Sequence, residues 1–245
     1  MSKTPVLILG ARSDIARACA RHFAARGHPI QLAARRSAAL GPDRDDLELR
    51  HGVEVSLHEF DVLDLPAHAG FVDALPALPG TVICAVGLMG DQARSAADPV
   101  AAAQVMRSNF EGPASILSVL AERFEARGSG VIVGISSVAG LRGRASNYVY
   151  GASKAGFTAF LSGLRNRLAG RGVHVVTVLP GFVATRMTEG MDLPPKLTAQ
   201  PEEVAAAIWR AAERRRDVIY VRPVWRAVMG IIGLVPERLF KRMSL

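Results

Sequence analysis

The chain of 245 residues is long for one average domain and short for two, so a single α/β domain fits its length best. Hydrophobic residues make up 49% and charged residues 21%, which excludes the disordered class of chains. The net charge of +8 would suit nucleic acid, a membrane surface or an acidic substrate, but the basic residues are scattered. Charge alone therefore selects no partner, and we expect no nucleic-acid ligand.

Two cysteines, Cys19 in a predicted helix and Cys84 in a predicted strand, are expected to be small buried hydrophobic residues rather than a disulfide pair. Residues 1–5 lack the basic and apolar regions of a signal peptide. No segment reaches the ~20 apolar residues needed to span a bilayer, and the apolar tail after Pro223 is too short and too basic to do so. We therefore expect a cytoplasmic protein.

Seven short apolar runs bounded by turn residues predict seven β-strands. Most runs are continuous and β-branched, which is typical of a parallel sheet covered by helices on both faces. The runs are residues 6–9, 30–34, 53–60, 81–86, 131–135, 173–179 and 218–221. Helical patterns between them cover residues 14–26, 37–49, 65–74, 99–108 continuing to 127, 147–169 and 201–215.

This alternation predicts a doubly wound α/β sheet with its ligand crevice at the carboxyl ends of the strands. Functional side chains should therefore follow strands directly. We divide the chain into a catalytic domain, residues 1–222, and a basic, apolar tail, residues 223–245. The proline-containing stretch 187–200 is expected to be a flexible loop over the crevice.

A tight turn at Gly10 follows the first strand and leads into a helix, whose free N–H groups can face a pyrophosphate. Asp14 and Ala16 stand where a three-glycine fingerprint has its second and third glycines. Asp14 would also serve as an ordinary helix cap. The residues expected to contact a nucleotide here are Gly10, Arg12, Ser13, Asp14 and Ile15.

The second strand ends in Ala34-Arg35-Arg36, where a site that prefers NAD normally has a carboxylate for the ribose hydroxyl. Guanidinium groups match a 2′-phosphate instead, and Arg12 is a third candidate contact. We therefore expect NADPH/NADP+ as the cofactor. The alternative is a solvated basic turn.

Three further segments follow predicted strands and are candidate cofactor contacts. An acidic residue after the third strand could accept from an adenine amino group, although it could equally serve solubility. Small residues at the fourth strand's end let backbone approach the cofactor, and a turn after the sixth could hold a nicotinamide carboxamide or be merely structural. These residues are Asp61, Val62, Ala85, Val86, Gly87, Pro180, Gly181, Val183 and Thr185.

Ser137, Tyr150 and Lys154 carry the chemistry of the predicted site. Tyr150 and Lys154 are four residues apart on one helical face, so the ammonium is expected to lower the phenol's pKa of ~10. Ser137 follows the fifth strand, and its hydroxyl could hold a substrate oxygen. Together they predict a proton donor, Tyr150, beside a hydride-transfer site.

Asn109, in the helical stretch after the fourth strand, is a further candidate, with a polar kink as the alternative. The six histidines show no metal-ligand spacing, so we expect no metal. No serine, histidine and acid arrangement indicates a hydrolase.

These residues, from Gly10 through Asn109 to Pro180 and Gly181, resemble the short-chain dehydrogenase/reductase family over essentially the whole chain. The resemblance implies a Rossmann-like doubly wound seven-stranded parallel sheet with helices on both faces, a nicotinamide cofactor and homodimers or homotetramers. It also implies Asn109, Ser137, Tyr150 and Lys154 as catalytic residues. The glycine turn and the segment from Cys84 to Gly87 depart from the usual pattern of the family.

Within the family, several stretches look like decaprenylphosphoryl-2-keto-erythro-pentose reductases. Such enzymes reduce a lipid-linked keto-sugar whose ketone a flavin oxidase supplies. The resemblance implies a lipid-linked carbonyl substrate and a flavin oxidase partner; the alternatives are a soluble reductase of another ketone or acyl substrate, or an inactive nucleotide-sensing scaffold. The stretches are residues 86–91, 147–150, 185–187 and the tail, from 224–226 to 240–242.

The tail interleaves apolar residues with cations, among them Trp225 and Arg226. Such a pattern suits a helix or helical hairpin lying in a membrane surface, which predicts peripheral contact with the inner face of the membrane. The alternatives are that the same residues cover a neighbouring subunit or close the substrate cleft.

Overall fold

The computed structural model describes residues 3–243. Met1, Ser2, Ser244 and Leu245, which belong to the predicted N-terminus and tail, lie outside the described residues. The described strands are β1 (Val6–Leu9), β2 (Ile30–Ala34), β3 (Val55–Glu59), β4 (Thr81–Cys84), β5 (Gly130–Ile135), β6 (Val173–Pro180), β7 (Phe182–Val183), β8 (Thr198–Ala199) and β9 (Val218–Val221).

Seven of these strands form one parallel sheet in the order β3-β2-β1-β4-β5-β6-β9. The predicted doubly wound sheet is confirmed, and each of its strands corresponds to a predicted one. The third and fourth strands are shorter than predicted, so Ala85, Val86 and Gly87 follow β4 rather than end it. Pro180 belongs to β6 instead of following it.

The helices are α1 (Asp14–Ala24), α2 (Gly41–His51), α3 (His68–Asp73), α4 (Gln92–Ala97), α5 (Pro99–Met106), α6 (Gly112–Arg127), α7 (Tyr148–Leu168), α8 (Pro201–Glu213), α9 (Val224–Leu234) and α10 (Glu237–Phe240). A π-helical turn, Arg107–Glu111, joins α5 to α6, as the predicted continuous stretch requires. The short helix α4 was not predicted; the Asp91 side chain caps it by accepting from the Arg94 N–H.

Two hydrophobic cores lie on opposite faces of the sheet because successive strand residues point to opposite sides. Ile8 packs into the core beneath α1, α2 and α8, whereas Leu7 and Leu9 pack into the core beneath α3, α6 and α7. Cys19 belongs to the first core and Cys84 to the second, so both are buried and unpaired, as predicted. With both faces covered, the carboxyl edge of the sheet is left for ligands.

The segment predicted as a flexible loop, residues 187–200, is partly ordered by pairing, which corrects that prediction. β8 lies parallel to β7 and forms a two-stranded ribbon. Arg222 donates to the Pro195 and Lys196 carbonyls at 2.9 and 3.0 Å. These contacts come from distant parts of the chain, so local composition could not reveal them. The first half of the segment does border the crevice, through Met187 and Met191.

The tail packs on the carboxyl edge of the sheet through α9 and α10. Trp225, Met229 and Phe240 are buried. The indole of Trp225 donates to the Leu197 carbonyl at 3.0 Å and fills the space beside Gly181, where a Cβ would lie 1.9 Å from its Cε2 atom. The tail therefore covers the cleft within this chain.

Arg142, in the loop between β5 and α7, contacts the tail at α10. Its guanidinium donates to Glu237 at 2.9 Å and lies 4.1 Å from the centroid of the Phe240 ring. The opposite face of α9 remains exposed. Among the described residues, no helix is long and apolar enough to cross a membrane.

Candidate active site

A cavity of about 560 Å³ lies at the carboxyl ends of β1, β4, β5 and β6. This is the edge where a doubly wound sheet binds its ligands. Thirteen of the predicted site residues line it: Ser13, Asp14, Ile15, Ala85, Val86, Gly87, Ser137, Tyr150, Lys154, Pro180, Gly181, Val183 and Thr185. Gly10, Arg12, Arg35, Arg36, Asp61, Val62 and Asn109 do not line it.

The turn at Gly10 brings β1 against the backbone that follows β4. Gly10 has φ +78°, and a Cβ there would lie 2.9 Å from the Val86 nitrogen. Glycine is needed here for both its left-handed backbone and this close approach. The helix cap that follows is Ser13, whose side chain accepts from the Ala16 N–H at 3.2 Å, so Asp14 is not the cap. The amino end of α1 thus borders the cavity and suits a pyrophosphate.

Asp14 instead makes an ion pair with Arg186, 172 positions further along the chain. Its carboxylate accepts from the Arg186 backbone N–H at 2.8 Å and from its Nε at 2.9 Å. Both residues line the cavity. This contact ties the amino end of α1 to the turn after β7, a link that sequence spacing could not predict.

Arg35 and Arg36 follow β2 and are exposed, outside the cavity lining. Arg36 has φ +55°, and the Glu59 carboxylate accepts from the backbone N–H groups of Arg36 and Ser37 at 2.7 and 2.8 Å. These hydrogen bonds lower the pKa of Glu59. Both guanidinium groups lack an ion pair within residues 3–243, so they are free to bind an anion at the carboxyl end of β2. Glu59 was missed by the sequence analysis, although it pairs in register with Ala34.

Asp61 and Val62 lie between β3 and α3 with local structural partners. The Asp61 carboxylate accepts from the Leu63 N–H at 3.0 Å. Val62 is buried in the second core, and a Cβ at Gly112 would lie 2.2 Å from its carbonyl oxygen. Arg12 is exposed, and its carbonyl accepts from Arg186.

Ser137, Tyr150 and Lys154 meet at the centre of the cavity lining. Ser137 is the second residue after β5 and accepts from the Ala139 N–H at 3.1 Å, which fixes its side chain. Tyr150 lies in the first turn of α7 and Lys154 one turn later, with its Nζ 5.8 Å from the phenol ring centroid. Lys154 Nζ donates to the Ile135 carbonyl at 3.0 Å. The three functional groups therefore project into one space.

Neighbouring hydroxyl residues have other partners. Ser136 hydrogen-bonds to the Lys154 carbonyl and the Thr158 hydroxyl at 2.9 and 2.7 Å. Ser153 donates to the Tyr150 carbonyl at 2.6 Å. Tyr148 is 47% exposed and does not line the cavity. Ser136 and Ser153 therefore stabilise the backbone of α7, and Tyr148 lies outside the cavity.

The pKa of Tyr150 shifts in the direction opposite to the prediction. Burial raises it to about 12, while a hydrogen bond between the Ser137 and Tyr150 hydroxyls opposes the rise. Burial also lowers the pKa of Lys154 from 10.5 to about 8. The sequence predicted only the attraction between the two groups, whereas their shared burial disfavours the charged form of each. At neutral pH the phenol therefore carries a proton to donate.

Asn109 lies in the π-helical turn, fully buried and outside the cavity lining. Its amide donates to the Leu88 and Val105 carbonyls at 2.6 and 2.8 Å, and its oxygen accepts from the Leu88 N–H at 3.1 Å. A Cβ at Gly87 would lie 3.4 Å from that oxygen and 3.7 Å from Lys154 Nζ. Asn109 thus holds the segment that follows β4 beside the lysine.

Several residues that line the cavity were not predicted from the sequence as site residues. They lie after β4, in the loop between β5 and α7, in β7 and in the tail, and most are apolar. They are Met89, Val138, Arg144, Asn147, Phe182 and Trp225. Nothing in their local pattern distinguishes them, because they reach the cavity only through tertiary packing.

Comparison with known proteins agrees with this geometry. The sequence model of the family described as short chain dehydrogenase matches residues 4–194. The chain belongs to the short-chain dehydrogenase family. An uncharacterised oxidoreductase of Mycobacterium tuberculosis is 40% identical over 242 residues, covering 98% of this chain and 96% of that protein. One of Streptomyces coelicolor is 36% identical over 241 residues, covering 97% and 95%.

The fold is also shared with solved structures. A short-chain dehydrogenase from Sphingobium yanoikuyae, solved in complex with NADPH, superposes with a TM-score of 0.82 at 26% identity, covering 96% of this chain and 97% of that one. The family resemblance read from the sequence is thereby confirmed. The narrower likeness to keto-sugar reductases stays a prediction.

Proposed function

We propose that this protein is an NADPH-dependent reductase that converts a ketone to an alcohol. The observation that carries the proposal is the meeting of Ser137, Tyr150 and Lys154 in one cavity beside the amino end of α1. The residues fit a dinucleotide, because Ser13, Asp14 and Ile15 at the amino end of α1 line the same cavity and a helix amino end can bind a pyrophosphate. NADPH, when bound, supplies hydride to the carbonyl carbon.

Each side chain has one task in this mechanism. Ser137 donates to the substrate oxygen, and Tyr150 gives that oxygen its proton as the alkoxide develops. The raised pKa of Tyr150 keeps the phenol protonated before the step. Afterwards the tyrosinate is stabilised by the hydrogen bond with Ser137 and by the charge of Lys154, which Asn109 helps to position through the segment at Gly87.

The preference for NADPH is proposed on the charge at the end of β2. Ala34 offers no carboxylate to repel a 2′-phosphate, and the exposed guanidinium groups of Arg35 and Arg36 can bind one, with Arg12 nearby in the first turn. The solved relative bound to NADPH is consistent with this choice. Arg35→Ala should weaken NADPH by about 10- to 150-fold while sparing NADH. Equal losses for both would remove this assignment.

Carbonyl reduction is tested by comparing substitutions at two tyrosines, one that lines the cavity and one that lies outside it. NADPH oxidation is measured at 340 nm with a panel of carbonyl substrates. Tyr150→Phe should abolish turnover, whereas Tyr148→Phe, at an exposed tyrosine outside the cavity, should preserve it. Turnover that survives in Tyr150→Phe would contradict the proposed role. NADPH binding without turnover of any carbonyl would favour the inactive nucleotide-sensing scaffold.

For the substrate, we propose a keto-sugar carried on a polyprenyl phosphate, with a flavin oxidase supplying the ketone. The stretches of this chain that resemble keto-sugar reductases support this substrate. The apolar side chains of Met89, Phe182 and Trp225 in the cavity lining also support it. The alternative is a soluble reductase of another ketone or acyl substrate. Vigorous turnover of small soluble ketones with no effect of lipid would favour that alternative.

The outer face of α9 and α10 supports peripheral contact between this protein and the inner face of a membrane. Ile231, Leu234 and Leu239 are 68%, 84% and 60% exposed. The same stretch of chain carries exposed cations: Arg226, Arg238, Lys241 and Arg242. An apolar face rimmed by cations suits an anionic leaflet. The proposed location is the cytoplasm, with reversible attachment to the membrane.

Liposome sedimentation tests this attachment. Truncation after Arg222 would also remove Trp225 from the cleft, so the sharper variant is Ile231→Ser with Leu234→Ser, which alters only exposed side chains. Leu49→Ser, at a leucine 88% exposed on α2, is the matched control. Wild type and control should pellet with anionic vesicles at low salt and the double variant should not. Wild type left in the supernatant would contradict the proposal.

We also propose a homodimer or homotetramer. Val100, Met106 and Phe110 are 76%, 42% and 39% exposed along α5 and the π-helical turn, and Phe110 lies beside Gly156 of α7. A second copy of the chain would cover them. Sedimentation velocity should show an oligomer that Phe110→Asp weakens; a monomeric wild type would contradict this.

A further inference from the structure

Arg144 is a cavity-lining cation whose charge nothing in the described chain offsets. It lies in the loop between Ser137 and Tyr150, the two residues that face the substrate oxygen. Its Nε atom is buried and has no hydrogen-bond partner. No acidic side chain within residues 3–243 forms an ion pair with its guanidinium. Burial lowers the pKa of Arg144, which means that its surroundings disfavour the charge.

The other charged groups of the lining are already engaged. Asp14 and Arg186 pair with each other at 2.9 Å. Lys154 donates to the Ile135 carbonyl. Arg144 is therefore the cation of the lining that a ligand could neutralise, and its buried Nε atom without a partner costs stability.

The apolar residues of the cavity lining indicate that the rest of the substrate is apolar or amphiphilic. Met89, Val138 and Phe182 present apolar surface, and Trp225 closes the space from the tail. A ligand that matches both features combines an apolar or amphiphilic body with one oxyanion. Guanidinium groups bind carboxylate and phosphate through paired, charge-assisted hydrogen bonds.

We infer that Arg144 is a specificity-determining residue that binds an oxyanion, carboxylate or phosphate, on the ketone substrate. The identification of the substrate as a ketone rests on the proposed function. Binding of an oxyanion at Arg144 does not depend on turnover. It assigns two ends to the substrate. The reacting carbonyl lies at Ser137 and Tyr150, and the anionic group lies at Arg144.

The test compares a keto acid with its neutral ester. The probes are 3-benzoylpropionate and its methyl ester, and binding to the full chain is measured by calorimetry with saturating NADP+, beside steady-state kinetics with NADPH. The wild type should bind the acid about 10- to 100-fold more tightly than the ester. Arg144→Met should remove that preference, mainly by raising the Kd and KM of the acid, and Arg144→Lys should restore part of it.

Arg171→Met controls for the loss of one positive charge, since Arg171 is exposed and pairs with Glu125 far from the cavity lining. It should keep the preference for the acid. Competition by inorganic phosphate shows whether the site takes phosphate as well as carboxylate. Equal affinity of wild type for acid and ester, or an unchanged preference in a folded Arg144→Met, overturns the inference. Absent turnover with intact acid preference would instead sink the proposed function alone.

Discussion

Replacing Lys154 by methionine should stabilise the fold while abolishing catalysis. Lys154 is only 3% exposed, and its ammonium is offset by one carbonyl, that of Ile135. Burial therefore lowers its pKa from 10.5 to about 8. Methionine has a similar unbranched shape and no charge, so it keeps the packing without the cost of burying a cation.

The magnitude follows from the pKa shift. A shift of about 2.5 units, at 1.36 kcal/mol per unit, corresponds to roughly 3 kcal/mol of destabilisation by the charged lysine below pH 8. Between pH 8 and 10.5 the unfolded chain binds more protons at this residue than the native one. The wild type should therefore gain stability relative to the variant as the pH rises through that window. The loss of the hydrogen bond to Ile135 offsets about 1 kcal/mol of the variant's gain.

The assay is urea unfolding of wild type and Lys154→Met at several values between pH 7 and 10. We expect the variant to be more stable by about 1 to 3 kcal/mol at pH 7, and the difference to shrink toward pH 10. Lys196→Met, at an exposed lysine, is the matched control and should show no such trend. A variant that is less stable at pH 7, or a difference that does not change with pH, would refute the reasoning.

Three further predictions concern the backbone and ion pairs that shape the site. Gly10→Ala should weaken NADPH binding about 5- to 30-fold, because the positive φ costs about 1–2 kcal/mol and the turn must shift to relieve it; fluorescence titration measures the affinity. Asp14→Asn breaks the bond to Arg186 and should speed NADPH release about 2- to 5-fold in stopped-flow traces, with an almost unchanged Tm. Gly181→Ala should push Trp225 from its place, destabilise the fold by about 1–3 kcal/mol and red-shift the indole emission.

Gly163→Ala is the matched control for both glycine variants. Gly163 lies in α7, is exposed, and a Cβ there would meet nothing within 4 Å. It should stabilise the protein by about 0.5–1 kcal/mol. Unaltered NADPH affinity in Gly10→Ala, unaltered release in Asp14→Asn or unaltered emission in Gly181→Ala would each contradict the corresponding contact.

The sequence by itself determined the parallel sheet and the pairing of Tyr150 with Lys154 on α7. Each strand of the sheet is a local run of β-branched residues, and its continuous apolar character requires helices on both faces. Tyr150 and Lys154 share a helical face because of their spacing alone. Ser137 was predictable because functional side chains of such a fold follow its strands.

Contacts between distant segments were decided only by the tertiary structure. Asp14 meets Arg186 across 172 positions, and Arg142 meets Glu237 across 95. Trp225 fits beside Gly181 only because α9 returns to the carboxyl edge of the sheet. No local pattern encodes these pairs, and the composition of the apolar tail could not show that its inner face packs beside the cavity while its outer face stays exposed.

The protonation of the site was likewise decided by burial. Spacing showed that Lys154 is close enough to act on Tyr150, but not how much water either group loses on folding. The structure buries both, which raises the pKa of the phenol to about 12 and lowers that of the lysine to about 8. The proximity of Tyr150 and Lys154 follows from their spacing on one helix, so the sequence predicts it. Their desolvation depends on every element packed around the cavity.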